Sequence, residues 1–537
     1  MRVLLFLGFL TIAGSAASQE IWDIWSTTWD RSKLFADVSP SKAISFTSPG
    51  STGAANIVVD DSTTYQTVFG YGASLTDSSA LVLSNMKSKN SVNYWKLLNI
   101  LFDATDGANA AGFTYLRVPL GASDFSATLY NYDNDKDTSL ANFDINNAPS
   151  YVYSVIQDIR SVNSLLKVHI LPWSPPGWMK DSGTMDGGNL TTSLENTYAL
   201  YLLKSLQGFQ SKGIPIDSIS IQNEPQNNNP TYPTCTMPVS VHAAVGKALR
   251  PLMDANGFTG TKLIGYEHNW NDAGEYPVQL MQQAGSVFDG VAFHCYEGTV
   301  SQIDTFHSAY PQKDIYMTEC AGEFGSDWWS DIKWKSDNLV IGGMAHNAKS
   351  SLEWNIAGQP DGGPKLPGTT SCGGTGCRPV ATVTSSGTYT LNQEFYTMAQ
   401  ASKAILPKDA GGPFGQRIGV TVEGSLDWTL VVGAYQTERV KSTDQTRYSL
   451  VVLNWYDNST GTWNPQSVAA TIAFRGQQAK YTFPVGLTTL WWFAAPGSLR
   501  SSDDTLAEQA PGLQVPAVVP VLVPILAWAK SLARKFL

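Results

Sequence analysis

Charge is scarce in this chain. Only 15% of its 537 residues are Asp, Glu, Lys or Arg, and the formal balance is −10. No basic excess is available for a nucleic-acid partner, which draws on clustered Lys and Arg. With 43% hydrophobic residues, the composition is still that of a globular protein with a lightly charged surface. Cysteine is scarce too. Cys235, Cys295, Cys320, Cys372 and Cys377 are too few for a disulfide scaffold and lack zinc-ligand spacing. Cys372 and Cys377 bracket Gly-Gly-Thr-Gly and suit a small loop disulfide. Cys295 and Cys320 stand at the ends of predicted neighbouring strands, as buried thiols or as a bridge. The odd count leaves at least one thiol unpaired within a monomer, the expected state. No metal constellation is visible, no cofactor is implied, and no Gly-rich phosphate loop follows an early strand.

Apolar runs long enough to span a bilayer are also missing. Val3–Ala13 is too short and, behind Met1-Arg2 and before Ser15-Ala16-Ala17, reads as a secretory leader over residues 1–18. A secreted, cell-wall-associated location is therefore expected, and the sequons at Asn189 and Asn458 are compatible with it. At the other end, Val515–Trp528 is apolar but interrupted by prolines, and Lys530, Arg534 and Lys535 follow. This pattern fits a poorly structured or membrane-surface-associating tail rather than a spanning helix.

What is abundant is aromatic: 17 Trp and 22 Tyr. Flat rings fill cores, and they also stack on the C–H faces of sugars. The middle of the chain repeats one theme, a short apolar strand, a loop rich in polar residues, then an amphipathic helix. The strands are predicted at 67–71, 114–120, 167–172, 218–222, 262–266, 290–294, 315–318 and 351–355. Such alternation favours a parallel sheet, and eight strands match one closed barrel. After about residue 404 the chain turns to short alternating strands, at 428–434, 448–455, 469–474 and 488–493, the pattern of a small β-sandwich. The expected fold is thus an α/β (β/α)₈ TIM barrel over 63–403 with an attached side β-sandwich over 404–496. Residues 19–62 add strands to that sandwich, and 497–537 stand apart.

In such a barrel, function gathers where the strands run out. Two strand ends offer a carboxylate directly after an apolar run, Glu224 after strand four and Glu319 after strand seven. Strands four and seven lie across the barrel axis, so the two side chains can meet over one sugar. Glycoside hydrolysis needs such a pair, one protonated to serve the leaving oxygen and one ionised to attack the anomeric carbon. Glu224 is expected to titrate high, because an acid must keep its proton until donation. Arg117 on strand two is placed to hold Glu319 ionised. Glu353 and Glu323 rank lower: Glu353 points out of the barrel by strand alternation, and Glu323 lies in the loop after strand seven.

Three strings carry a resemblance. Ser220-Ile-Gln-Asn-Glu-Pro225, Leu171-Pro-Trp-Ser-Pro-Pro-Gly-Trp-Met-Lys180 and Thr318-Glu-Cys320 together resemble glycoside hydrolase family 30, over about residues 20 to 495. The resemblance implies a retaining β-glycosidase with Glu224 as acid/base and Glu319 as nucleophile. It further implies that Asn223 bonds the sugar 2-hydroxyl, that Trp173 and Trp354 are sugar platforms, and that Tyr296 contacts Glu319 with His294 nearby. Asp77, Trp178, His268 and Asn269 are weaker candidates for sugar hydroxyls. The expected substrate is a β-linked polysaccharide or glycoside. The strings 71–77 and 229–233 suggest the secreted fungal members that act on β-1,6-glucan. Glucosylceramide and β-1,6-galactan are the alternatives within the family, and a carbohydrate-binding pseudo-enzyme is the alternative outside catalysis.

Overall fold

Eight parallel strands close into a barrel: Gly70–Ser74, Tyr115–Leu120, Lys167–Pro172, Ser218–Ser220, Lys262–Asn269, Gly290–His294, Asp314–Glu319 and Ala348–Asn355. They are numbered one to eight here in chain order. In this computed structural model the described residues are 19–373 and 376–496. The expected leader and the proline-interrupted tail lie outside them. No helix among the described residues is long and apolar enough to cross a membrane.

Strand alternation fills the barrel in layers. Tyr115, Ile264, Ala292, Tyr316 and Leu352 pack with Phe69 as a dry lower layer. Two residues further along four of those strands stand Arg117, His294, Thr318 and Trp354, so the interior turns polar and aromatic toward the C-terminal ends. Helices such as Ser150–Val162 and Val239–Ala255 set their apolar stripes against the outer faces of the strands. Glu353 faces that helical shell, where Lys335 donates to both of its oxygens (2.7 and 2.9 Å).

One expected strand is displaced. The first was read at 67–71, but Thr67 ends a different strand, Ala55–Thr67, and the barrel strand begins at Gly70. Only Val68 and Phe69 separate the two, so an apolar run that looks continuous in sequence serves two sheets. Glycine marks the change: Gly70 has φ +143°, and a Cβ on Gly72 would sit 1.9 Å from the Tyr115 carbonyl oxygen, where strands one and two close on each other.

The second body is a ten-stranded mixed sheet. Glu20–Thr28, two short strands and Ala55–Thr67 from the N-terminal side interleave with Gln416–Glu423, Leu430–Thr437, Thr446–Asn454, Val468–Phe474, Gln477–Phe483 and Gly486–Ala494, Glu20–Thr28 pairing with the last of these and Ala55–Thr67 lying between Gln416–Glu423 and Val468–Phe474. The sheet folds over so that Thr47 pairs with Gln478. Its two faces enclose Ile24, Ile57, Ile418, Leu450, Ile472 and Trp492. Strands 416–423 and 477–483 were not foreseen, since 416–423 is only half buried and 477–483 is largely polar.

Disulfides join Cys295 to Cys320 and Cys372 to Cys377, leaving Cys235 free and buried. The first ties the end of strand six to the end of strand seven. The second packs against Trp173 and Trp354.

Candidate active site

The site is assembled from the top of the barrel by two differently dressed carboxylates. Glu319 ends strand seven. Its Oε2 accepts a hydrogen bond from Arg117 Nη1 at 2.5 Å, and its Oε1 accepts one from the Tyr296 hydroxyl at 2.9 Å. Arg117 is fully buried, so it needs partners for its charge. It also donates to Asn223 Oδ1 (2.6 Å) and Glu267 Oε2 (3.2 Å), and its guanidinium lies 4.8 Å from the Trp173 ring centre.

Glu224 follows strand four with φ +44°, a left-handed backbone that turns its side chain over the rim. Its Oε1 lies 3.1 Å from His294 Nδ1 and 3.9 Å from His268 Nδ1, and its Oε2 accepts from the Asn227 amide at 2.8 Å. Burial alone would push this carboxyl up. The His294 hydrogen bond, the charges of His268 and His294 and the Asn227 amide outweigh burial and bring it down to about 2. This corrects the expectation that Glu224 titrates high. Its histidine neighbours are the cause, and they come from strands five and six. His294 moves the opposite way. Burial opposes its charge, but the Glu319 charge and the bonds to Glu224 and Glu267 raise it to about 9. The two shifts have one cause, since each group favours the charged form of the other across the 3.1 Å contact.

Glu267 is the residue that sequence reasoning missed. It is fully buried within strand five and accepts from Ser220 (2.7 Å), Thr318 (2.7 Å) and Arg117, with His294 Nε2 at 3.3 Å and His169 Nε2 at 3.2 Å. Its backbone carbonyl accepts the Glu224 amide N–H at 2.9 Å. The same residue thus reaches the Glu224 backbone, the His294 ring and the arginine that holds Glu319. The Glu267 carboxyl is buried, yet Arg117, His169 and His294 keep it well below the usual range. Glu267→Gln is expected to lower kcat by about 10²-fold. It should also move the basic limb of the pH–rate profile down by roughly one unit or more, since His294 loses an anionic neighbour. The pH–rate profile of this variant beside Glu267→Asp checks it, because a merely structural role would leave the limb in place.

The remaining expected residues sort by geometry. Trp173 and Trp354 stack on each other, 5.0 Å between centres, and are almost fully buried. They form one aromatic wall rather than two separate platforms. His268 stands at the acid. Asn269 is buried and its Oδ1 accepts the Tyr296 backbone N–H at 3.1 Å, so it positions Tyr296. Trp178 gives its indole N–H to the Asp133 carbonyl (3.1 Å) and lines a separate 620 Å³ cavity with Tyr130 and Asn134. Asp77 is 1% exposed, and its oxygens accept from Ser126 (2.5 Å) and Tyr130 (2.8 Å). It fastens the loop after strand two.

Burial raises Asp77 to about 7 against the lowering by Ser126 and Tyr130. A carboxyl raised on folding contributes stability that is whole below the unfolded pKa of 3.8 and is lost as pH rises through about 7. Asp77→Asn should remove that dependence. Thermal melts should show the variant gaining on the parent as pH rises from 4 to 8, by up to about 4 kcal/mol at 1.4 kcal/mol per pH unit.

Asp124, another residue not foreseen, is buried. Its Oδ2 accepts from Ser371 at 2.6 Å, while its Oδ1 has no partner among the described residues. Burial, together with the charges of Glu319 and Glu224, raises it to about 7. Among the described residues, Glu224, His268 and His294 also bring three donor atoms within 4.8 Å of one another, the spacing a divalent cation needs.

A closed β/α barrel with one carboxylate after strand four, another after strand seven and a buried arginine between them defines a barrel glycoside hydrolase. The model of the glycosyl hydrolase family 30 TIM-barrel domain matches residues 68–405. The chain belongs to that family and is a glycoside hydrolase. It is 32% identical over 428 residues to the endo-1,6-beta-D-glucanase of Neurospora crassa, covering 75% of this chain and 82% of the relative. It is 30% identical over 370 residues to the endo-1,6-beta-D-glucanase BGN16.3 of Trichoderma harzianum, covering 65% and 72%. Among solved structures, the endo-beta1,6-glucanase BT3312 shares the fold with a TM-score of 0.75 at 24% identity, covering 88% of this chain and 99% of that one.

Proposed function

We propose that this enzyme is a secreted endo-β-1,6-glucanase that cleaves by double displacement with retention. The observation that carries the chemistry is the unequal dressing of the two carboxylates. Arg117 and Tyr296 each donate to one oxygen of Glu319, which suits an ionised nucleophile. Glu224 faces His294, His268 and the Asn227 amide and, among the described residues, has no fixed cation beside it, which suits a group that must exchange its proton. The substrate reading rests on the similarity to the two fungal glucanases. The leader in the sequence and two disulfides support action outside the cell.

Glu319 attacks the anomeric carbon as the glycosidic bond breaks. Glu224, protonated for this step and with His294 Nδ1 3.1 Å from its Oε1, delivers its proton to the departing oxygen. Glu224 then takes a proton from the water that attacks the glycosyl–enzyme ester, releasing sugar and Glu319. Arg117 fixes the Asn223 amide by its oxygen, which leaves Nδ2 to meet the 2-hydroxyl, a bond that strengthens in the transition state.

Side-by-side assays on β-1,6-glucan, β-1,6-galactan, glucuronoxylan and glucosylceramide test the substrate, with internal cleavage of β-1,6-glucan expected to be fastest. Proton NMR of the first product tests the mechanism: β-anomer is expected, and early α-anomer would sink the assignment of Glu319 as nucleophile.

A further inference from the structure

Tryptophan is costly to leave in water, because its large apolar faces gain by burial. Trp428 is nonetheless 58% exposed and Trp463 43%. Both belong to one end of the folded-over sheet, on loops that share hydrogen bonds. Trp455 donates its indole N–H to the Trp428 carbonyl (2.8 Å) and its backbone N–H to Thr429. The loop from Trp455 closes on itself through Asn464 to Asp457 (2.9 Å) and Gln466 to Tyr456 (2.7 Å). Each exposed ring is braced by a half-buried one: Trp428 lies edge-on to Tyr456 at 5.2 Å, and Trp463 edge-on to Trp29 at 5.0 Å. The rings are therefore held in place before any partner arrives.

The loop that carries Trp463 is neutral and polar, and beside Trp428 one carboxylate, Asp427, accepts that residue's backbone N–H at 2.7 Å. From Asn458 to Val468 the loop carries no charged residue, and Asn464 and Gln466, whose amides bond each other at 2.7 Å, follow Trp463 along it. Fixed aromatic faces edged by amides, hydroxyls and a single carboxylate, groups that all bond sugar hydroxyls, match a pyranose chain. They do not match an acidic or basic protein surface, which charge pairs would recognise.

Position adds the second argument. Asp457, in the same loop, accepts from the Trp329 indole (2.6 Å) and from Lys333 (2.7 Å), and Arg31 lies over the Trp328 ring at 4.8 Å. Those partners belong to helix Trp328–Lys335, which follows the strand that carries Glu319. The N-terminal end of such a helix is on the catalytic side of the barrel. The aromatic loops thus sit beside the same rim as the acids.

We propose that Trp428 and Trp463 form a non-catalytic binding platform for a β-glucan chain, which holds polymer next to the cleavage site. The proposal rests on the glucanase reading for its ligand, and the test separates the two. The full chain carrying Glu319→Gln, which cannot consume its ligand, is run in native gels containing β-1,6-glucan, β-1,3-glucan, cellulose or xylan, with and without W428A/W463A. Retardation by one β-glucan should weaken about tenfold in the double variant, equivalent to about 1.4 kcal/mol. With Glu319 intact, W428A/W463A should hydrolyse a small aryl β-glycoside at the parental rate and the polymer more slowly. Equal retardation with and without the two rings, or none by any glucan, overturns the platform. Retardation that appears only after Asn458→Gln would make the rings a seat for a glycan on Asn458 and also overturns it. Ring-dependent retardation by a β-glucan other than the 1,6-linked one upholds the platform and overturns the substrate reading.

Discussion

Glu319→Gln is expected to lower kcat on β-glucan on the order of 10⁵-fold or more, with polymer binding retained. The amide keeps the size and one acceptor of the carboxylate but cannot form the glycosyl ester, and Arg117 loses the anion it pairs with at 2.5 Å. A smaller replacement gives a sharper reading. In Glu319→Ala, added azide can occupy the space of the lost carboxylate and attack an aryl β-glycoside directly. The product should then be the α-glycosyl azide, by a single inversion. Steady-state rates with and without azide, and NMR of the product, check both statements. A Glu319→Ala enzyme with more than a few per cent of parental activity would remove Glu319 from the chemistry.

Glu224→Gln should behave differently, since it removes a proton donor rather than a bond partner. With sugar as leaving group the rate is expected to fall by roughly 10²–10⁴-fold. With an acidic phenol as leaving group the first step needs no proton, and the loss should shrink to the second step, where water must be activated. Azide should then speed turnover and yield the β-glycosyl azide, the opposite anomer from the Glu319 variant. The pH profile adds a third readout. In the parent the basic limb should fall where the Glu224–His294 pair loses its last proton, near 9. The variant has no carboxyl to pass that proton on, so its basic limb should flatten. Rates on the two leaving-group classes across pH 4–10 check the whole set. If both classes fall equally, Glu224 is not the donor.

Much of this was legible because barrel chemistry is written at strand ends. Glu224, Glu319, Arg117, Asn223, His294 and Tyr296 each stand within or just after an apolar run, and all six converge. Glu267 was hidden for a physical reason. Strand five was read as ending at Tyr266, but it continues to Asn269 through two residues with positive φ, Tyr266 and Glu267. That kink shifts the register against strand six and turns an acid into the barrel that simple alternation would misplace. The titration of Glu224 was hidden as well, because it depends on two histidines distant in sequence. The buried cluster of Lys335, Glu353, Glu394 and Arg378 is a third case: each charge is compensated only by partners on other elements, which no local pattern reveals. Asp77 shows the reverse error, a polar residue at a strand end whose oxygens are spent on Ser126 and Tyr130.

Strand Glu20–Thr28 is hydrogen-bonded along its length to Gly486–Ala494, which gives the folding of this chain an awkward timetable. At about 5–20 residues per second on the ribosome, the earlier strand waits roughly half a minute to a minute and a half for its mate. Throughout that delay Ile21, Ile24 and Trp25 have no sheet to cover them. A chaperone escort during synthesis is the natural remedy, and any truncation from the carboxyl end that removes the late strand strands the early one for good.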